Sequence, residues 1–363
     1  MIRSKTGELC LKLEPCLKQL SGDGNKEFFY AMARCYREGI RVKKNINAAI
    51  ELFEIVVNNS EIPQGEAMWK LACLYDYCQK SKDEEIKPIQ TIDTIRDKMI
   101  EYYERATKEG VPLAKNDLAR HYFRGVKYED NNTLLEKDVF EAFRLVRESM
   151  NADCFVAYDT IADEHSKLGI YELAIKNYKK SIDLYKSNYM FTKYEWKEKI
   201  KPKITSCKNS QKDNVRDSVF ISYSHKNGKT LDNILPYLYD KVDENKIWWD
   251  RKIKDGDSVF GSIEDALSKS KAILVLLSND YLNSTPCTNE WTYAFESAEV
   301  NLMKIFILPL EKCDDNLLRK FRFYDYRALL DYDKPLNPLS ESEIILKHKE
   351  IANKIKLLLG GNE

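Results

Sequence analysis

Two short segments carry the residues that could do chemistry in this chain. Residues 219–224 form an apolar run that turns polar at its end, as a buried strand entering a loop does. Residues 284–290 end in a carboxylate, near the start of an amphipathic helix predicted at residues 289–300. In a fold of alternating strands and helices both segments lie at one sheet edge, where small ligands bind. The pair predicts a ligand site with Glu290 at its centre.

The elements that must position this site alternate from residue 217 onward. Strands are predicted at residues 219–223, 246–249, 271–277 and 304–310, and helices at 231–242, 263–267, 289–300 and 343–359. The run 271–277 is almost wholly apolar, which is typical of a central parallel strand covered on both faces. The alternation predicts a parallel sheet with helices on both sides.

The first 200 residues repeat a small residue placed one helical turn before a ring. The pairs are Ala33 and Tyr36, Ala72 and Tyr75, Ala119 and Tyr122, and Ala162 and His165. Three units carry a glycine after the ring, as helix ends commonly do; these are Gly39, Gly125 and Gly169. A second helix follows in each unit, around residues 48–53, 99–103, 140–145 and 173–178. Four such helix-turn-helix units predict an α-solenoid.

These units resemble tetratricopeptide-type repeats over residues 26–185, and the first unit resembles the Sel-one-like variety. The resemblance implies a concave surface for a protein or peptide trigger, and a plain spacer is the alternative. Residues 186–200 are predicted to add a capping helix. The polar, basic stretch after them predicts a linker, so the chain divides into repeats at 1–200, a linker at 201–216 and a second domain at 217–363.

Composition limits the classes of partner and the compartment. Lys and Arg together number 58, as do Asp and Glu, which argues against nucleic acid or an anionic membrane as an obligate partner. Nine cysteines lie without paired spacing, no signal-like stretch opens the chain, and no apolar run could span a membrane. We therefore expect a protein of the reducing cytoplasm. The cysteines offer no second ligand pair for zinc, so no metal is expected.

Six segments of the second domain follow one another in the order of a known family. They are residues 220–223, 249–250, 255–256, 263–270, 276–281 and 284–290. Together they resemble the Toll/interleukin receptor (TIR) domain, from its first strand through its BB loop to the segment with its catalytic glutamate. The resemblance implies a flavodoxin-like α/β domain with a central parallel sheet, here preceded by an α-solenoid.

For enzymatic members of the family, the resemblance implies cleavage of the nicotinamide–ribose bond of NAD+, with Glu290 as the catalytic residue. The transition state is oxocarbenium-like, so a carboxylate beside the ribose stabilises the developing charge. Nicotinamide leaves as a neutral molecule, so no strong general acid is needed. Attack by water gives ADP-ribose, and attack by an atom of the same molecule gives a cyclic product. NAD+ is the substrate, and no cofactor is expected.

Further residues are expected around the cleft by the same resemblance. A loop borders each side, and the residues concerned are Tyr223, Ser224, His225, Asp250, Asp255 and Gly256. Many enzymatic members carry Trp at the position of Pro286, directly before the motif's cysteine. Stacking on the substrate ring then needs another aromatic, for which Tyr281 and Phe260 are the candidates.

Simpler interpretations stay open for several of these residues. Glu290 also fits an ordinary acid at a helix N-terminus, where the macrodipole favours negative charge. His225 also fits an exposed loop residue, and Cys287 fits a small buried residue, since no histidine partner is evident. The Gly-Lys-Thr at residues 228–230 is no phosphate-binding P-loop, because that motif needs glycine where Tyr223 stands.

The sequence thus predicts an NAD+ glycohydrolase, with cyclisation to cyclic ADP-ribose as a variant of its reaction. The alternative is a non-enzymatic adaptor whose TIR domain only assembles with other TIR domains. A third hypothesis is a synthase of a cyclic nucleotide signal. We expect homo-oligomers formed through the TIR domains, in which the BB loop at residues 252–260 completes the cleft of another copy. The architecture resembles that of prokaryotic immune proteins, which implies a role in anti-phage defence.

Overall fold

The chain forms two compact units. The computed structural model describes residues 23–58, 64–81, 91–188, 196–250, 259–320, 335–337 and 339–360. The first unit comprises the chain up to Lys137 together with Arg144–Ala157. The second comprises Asp138–Phe143 and the chain from Tyr158 onward. Among the helices of the described ranges, none has the length and apolar character needed to cross a membrane.

The predicted helix-turn-helix units are present. Their helices are α1 (Asp23–Glu38), α2 (Ile46–Asn58), α3 (Gly65–Lys80), α4 (Ile92–Lys108), α5 (Pro112–Arg124), α6 (Val139–Asn151), α7 (Phe155–Lys167) and α8 (Tyr171–Asn188). The small residues of the motif are all fully buried, as close helix packing requires; they are Ala33, Ala72, Ala119 and Ala162. The three glycines after the rings have positive φ angles between 68° and 75°, the conformation that ends helices and suits glycine.

The segment after α5 and the predicted linker both contain regular secondary structure in the described residues. An antiparallel hairpin of β1 (Val126–Lys127) and β2 (Thr133–Leu135) lies between α5 and α6, inside the third helix-turn-helix repeat. Helix α9 (Trp196–Asp213) covers most of the segment predicted as a linker. Its basic residues have a structural reason, because Lys203 donates to Asp159 on α7 at 2.7 Å. The predicted capping helix at 186–200 lies partly outside the described residues, and the domain boundaries stay predictions.

Among the described residues, the second unit contains a four-stranded parallel sheet. Its strands are β3 (Ser218–Tyr223), β4 (Ile247–Trp248), β5 (Ser270–Leu277) and β6 (Lys304–Pro309), in the order β4-β3-β5-β6. Every residue of β5 except Lys271 is buried, which confirms the central strand predicted from its apolar run. The chain passes from one side of β3 to the other between β4 and β5. A topological switch point therefore lies at the carboxyl ends of β3 and β5.

Alternation along β3 sends its side chains to two faces of the sheet. The helices of this part of the chain are α10 (Gly228–Tyr239), α11 (Val259–Lys269), α12 (Asn279–Leu282), α13 (Thr285–Glu299), α14 (Asp315–Lys320) and α15 (Glu341–Leu358). Val219, Ile221 and Tyr223 share a core with α10 and α15. Ser222 points the other way and bonds to α13. Helices on both faces of a parallel sheet confirm the predicted flavodoxin-like fold.

We expect the substitution Leu274→Ala to destabilise the sheet domain strongly. Leu274 has no exposed surface in the middle of β5. Removing such a side chain lowers the free energy of unfolding by about 2–5 kcal/mol, because burial is lost and a cavity remains. Urea denaturation followed by tryptophan fluorescence measures the change. The control is Leu357→Ala on α15, where the side chain is 52% exposed and the change should stay below about 0.5 kcal/mol. Equal effects would contradict the core position of β5.

Candidate active site

Glu290 lies one turn inside helix α13. The helix begins at Thr285, earlier than the predicted start at residue 289. Pro286 occupies its first turn, where the missing N–H of proline removes no helical hydrogen bond. Glu290 is therefore in the second turn, and the macrodipole acts mainly on the first. Stabilisation by the helix terminus does not account for a carboxylate at this position.

The carboxyl group of Glu290 is buried against the end of β3. Glu290 is 8% exposed, and the hydroxyl of Ser222 donates a hydrogen bond to its Oε2 at 2.5 Å. The hydroxyl of Tyr281 lies between Ser222 Oγ, at 2.9 Å, and the carbonyl oxygen of Cys287, at 3.1 Å. The carboxyl group thus sits on a small layer of hydroxyl groups at the carboxyl edge of the sheet.

Burial controls the protonation of this carboxyl group. It raises the pKa of Glu290 from 4.5 to about 8, because the charged form loses its hydration. The hydrogen bond from Ser222 favours the charged form and lowers the pKa, while the negative charge of Asp250 raises it. Acids with such strongly shifted pKa values are concentrated at functional sites.

A second polar group lies where Tyr223 points to the other face of the sheet. The hydroxyl of Tyr223 donates to Asp250 Oδ1 at 2.7 Å. The other oxygen of the same carboxylate, Oδ2, accepts a short hydrogen bond from His225 Nε2. The side chain of His225 is 82% exposed and that of Asp250 is 22% exposed. The carboxylate therefore joins a buried ring to an imidazole in contact with solvent.

The loops that carry these groups are fixed to each other. Asn227 donates its backbone N–H to the carbonyl oxygen of Ser224 at 2.7 Å, which closes a tight turn after β3. Ser278, after β5, donates to the side-chain oxygen of Asn227 at 2.7 Å. Lys226 forms an ion pair with Asp280 at 2.8 Å. The turn after β3 is therefore attached to the neighbouring loop at the switch point.

The structure brings most of the predicted site residues to one sheet edge. Glu290, Tyr223, Ser224, His225 and Asp250 lie there, at the ends of β3 and β4 and on the adjoining helix. Asp255 and Gly256 fall outside the described residues, as does the side chain of Phe260. Cys287 is buried, which raises the pKa of its thiol to about 12, and this fits the prediction of a small buried residue rather than a nucleophile.

Tyr281 does not fit the role of a stacking ring. It is 1% exposed, so neither face of the ring is open to a ligand. Its hydroxyl instead supports Ser222 beneath the carboxyl group of Glu290. Ser222 itself was not among the predicted site residues. The signal for it was present, because a hydroxyl in a buried strand requires a hydrogen-bond partner and alternation places it on the face opposite Tyr223.

The face of α13 turned away from the sheet is also hydrogen-bonded. Asn289 accepts the backbone N–H of Val139, near the start of α6, at 2.7 Å. Further along the helix, His165 Nε2 on α7 lies 3.1 Å from Glu296 Oε2, with both side chains almost fully buried. Asn177 donates to the other ring nitrogen of His165 at 3.3 Å, so the imidazole has a partner on each side. The helix that carries Glu290 is thus held from two directions within one compact unit.

Comparison with known families identifies the second domain. Residues 219–339 match the family model described as the TIR domain. This match confirms the resemblance predicted from the six ordered segments. No curated protein is significantly similar to the chain.

The solved structures that are similar to the chain include the following two. One is a Sel1 repeat protein from Oxalobacter formigenes, with 18% sequence identity, 53% of this chain and 74% of that chain covered, and a TM-score of 0.33. The other is c5321, a protective antigen present in uropathogenic Escherichia coli strains displaying an SLR fold. It has 10% identity, 95% of this chain and 63% of that chain covered, and a TM-score of 0.35.

The substitution Glu290→Gln should stabilise the protein at alkaline pH. The pKa of the folded state, about 8, exceeds the ordinary value of 4.5. The unfolded wild type therefore releases its proton first, and stability falls as pH rises between these two values. Glutamine resembles the protonated acid and lacks this loss. Each tenfold change in proton affinity is worth about 1.4 kcal/mol, so the variant should gain a few kcal/mol over wild type near about pH 9 and little near about pH 4.

Urea denaturation across this pH range measures the difference. Glu299→Gln is the matched control, because Glu299 lies on the same helix and is exposed. Its profile should run parallel to that of the wild type. A parallel profile for Glu290→Gln as well would contradict a buried acid with a raised pKa.

Proposed function

Because residues 219–339 are a TIR domain, we propose that this chain cleaves the nicotinamide–ribose bond of NAD+. The products are nicotinamide and either ADP-ribose or cyclic ADP-ribose. The observation that carries the proposal is the buried carboxyl group of Glu290, held by Ser222 at the carboxyl edge of the sheet. Ligands of open α/β sheets bind at this edge, beside the switch point.

The chemistry needs a negative charge beside the ribose. As the bond to the pyridinium nitrogen breaks, nicotinamide leaves neutral and positive charge develops on the ribosyl carbon. A carboxylate in a poorly hydrated site stabilises this charge more strongly than one in water, because the effective dielectric constant is lower. Glu290 has that environment, and Ser222 orients the carboxylate without neutralising it.

The raised pKa of Glu290 suits a site that takes up a cation. In the free protein the protonated form is favoured near neutral pH, since burial opposes the charge. A cationic nicotinamide ring brought close to the carboxyl group lowers its pKa and favours the carboxylate. Binding of the substrate would thus produce the charged form that the transition state needs.

The proposal extends to the assembly that activates the site. TIR domains of several copies associate, and the BB loop of one copy completes the cleft of the next. The helical repeats act as a scaffold or bind a protein or peptide trigger. The combination of repeats with a TIR domain resembles prokaryotic immune proteins, and this resemblance supports a role in anti-phage defence.

We expect Glu290→Gln and Glu290→Ala to abolish nicotinamide release from NAD+. Both variants remove the negative charge that stabilises the oxocarbenium-like transition state, so the rate should fall by at least about 100-fold. The assay uses concentrated full-length protein, brought together by a fused oligomerisation tag, with nicotinamide quantified by chromatography. Glu299→Gln, exposed on the same helix, should retain wild-type activity.

Three results of this assay would separate the alternatives. Cleavage that persists in both Glu290 variants would refute the assignment of the catalytic residue. If the wild type releases no nicotinamide even in forced oligomers, the adaptor role is favoured instead. The retention time of the second product distinguishes linear from cyclic ADP-ribose.

The rate of the free enzyme should rise with pH through an ionisation near 8. The reactive form of Glu290 is the carboxylate, and its fraction grows as pH passes the folded-state pKa of about 8. Ser222→Ala removes a bond that lowers this pKa, so the rise should move to higher pH. The measurement is kcat/KM for nicotinamide release as a function of pH in both proteins. A profile that falls through the same range would contradict catalysis by the carboxylate.

A further inference from the structure

The hydrogen-bonded chain from Tyr223 through Asp250 to His225 is not used in the proposed stabilisation of the ribosyl cation. An exposed histidine ordinarily samples many orientations, and this one is held by a carboxylate. The carboxylate is held in turn by the hydroxyl of Tyr223, a residue that is 5% exposed in the core. A buried residue therefore fixes the direction of an imidazole that reaches solvent.

The arrangement decides which ring nitrogen carries the proton. A carboxylate oxygen can only accept, so Nε2 of His225 donates to Asp250 Oδ2. In the neutral ring Nδ1 then keeps its lone pair and can accept a proton. After that transfer the imidazolium stays beside the negative charge of Asp250. This is the division of roles between base and orienting carboxylate that acyl-transfer enzymes use.

The imidazole and Glu290 are connected to consecutive residues of one strand. Ser222 bonds to Glu290, and Tyr223 bonds to the carboxylate that holds His225. The thiol of Cys287, from the helix of Glu290, donates to the carbonyl oxygen of Tyr223 at 3.3 Å. The charge of Asp250 also acts on Glu290, whose pKa it helps to raise. The two groups thus stand at the same strand end, supported from opposite faces of the sheet.

We propose that His225, oriented by Asp250, is the general base that activates the acceptor in the second half of the reaction. This rests on the proposed function. The glycosidic bond breaks with its electron pair going to the nicotinamide nitrogen. An acceptor oxygen, from water or a hydroxyl of the same molecule, forms the new bond to the ribosyl carbon. Its proton passes to Nδ1 of His225, and from the imidazolium to solvent.

Glu290 and the imidazole of His225 then divide the reaction. Glu290 stabilises the cation as a carboxylate and exchanges no proton with the acceptor. His225 acts only when the acceptor carries a proton that must be lost. A neutral pyridine, which attacks through a nitrogen lone pair, has no such proton. Attack by a pyridine should therefore need Glu290 and not His225.

The test compares two acceptors in one protein. Full-length wild type, His225→Gln and Asp250→Asn are incubated with NAD+, alone or with a neutral pyridine derivative such as 3-acetylpyridine. Formation of ADP-ribose, together with any cyclic product joined through a hydroxyl oxygen, measures attack by oxygen, and formation of the pyridine analogue of NAD+ measures attack by nitrogen. Asp240→Asn is the matched control, because Asp240 is an exposed aspartate paired with Lys241 directly after the end of α10.

The expected result is a change in the ratio of the two reactions. In His225→Gln, attack by oxygen should fall at least about 100-fold, the usual contribution of a general base, while attack by the pyridine stays within about threefold of wild type. Asp250→Asn should show the same change in ratio with a smaller loss, since the base remains and only its orientation is lost. Asp240→Asn should leave both reactions unchanged.

Two results would overturn the inference, in distinguishable ways. Equal loss of both reactions in His225→Gln, or no loss of either, would mean that the imidazole binds substrate or does nothing, with the proposed function intact. A wild type that carries out neither reaction would refute the proposed function, and the inference with it. Urea denaturation of His225→Gln, compared with that of the wild type, shows separately whether the variant is folded, so an equal loss in a folded variant is assigned to the missing imidazole.

Discussion

The architecture of the site depends on one hydrogen bond, from the hydroxyl of Ser222 to the carboxyl group of Glu290. A buried carboxyl group without a donor would be strongly destabilising when charged, and this hydrogen bond favours the charged form of Glu290. The bond exists only because β3 pairs in parallel with β5 and sends Ser222 toward α13. The register of the sheet and the position of α13 therefore together determine the surroundings of this acid.

The fold could be predicted closely because its strongest elements leave simple patterns. Buried parallel strands are continuous apolar runs, and the predicted strand 271–277 differs from β5 by one residue. Two helices were harder to predict. Helix α13 begins at Thr285 within a Pro-containing polar stretch that favours a loop. Helix α9 has a basic, polar sequence, and one of its lysines, Lys203, pairs with Asp159 on another helix, which the local sequence does not show.

The location of the site could be predicted in outline, but the hydrogen bonds between its residues could not. The family resemblance indicated Tyr223, His225 and Asp250, and the strand and helix pattern placed Glu290 at the same edge of the sheet. Which groups bond to each other depends on side-chain direction and on the distance between elements. An aromatic residue near the cleft was a candidate for stacking, yet Tyr281 is used from below through its hydroxyl. Ser222 lies in an otherwise apolar run, and only the direction of its side chain shows that its hydroxyl reaches Glu290.

Helix α13 carries Glu290 toward the sheet and meets α6 and α7 with its other face. Residues before the point at which the family resemblance begins therefore pack directly against the sheet domain. A gene fusion or recombination event near residue 217 would separate Glu296 from His165 and Asn289 from Val139. Such an exchange would give the incoming domain a surface with the wrong polar partners. The residues of the second compact unit around Val139 and His165 and the sheet domain are thus expected to be inherited, and to diverge, together.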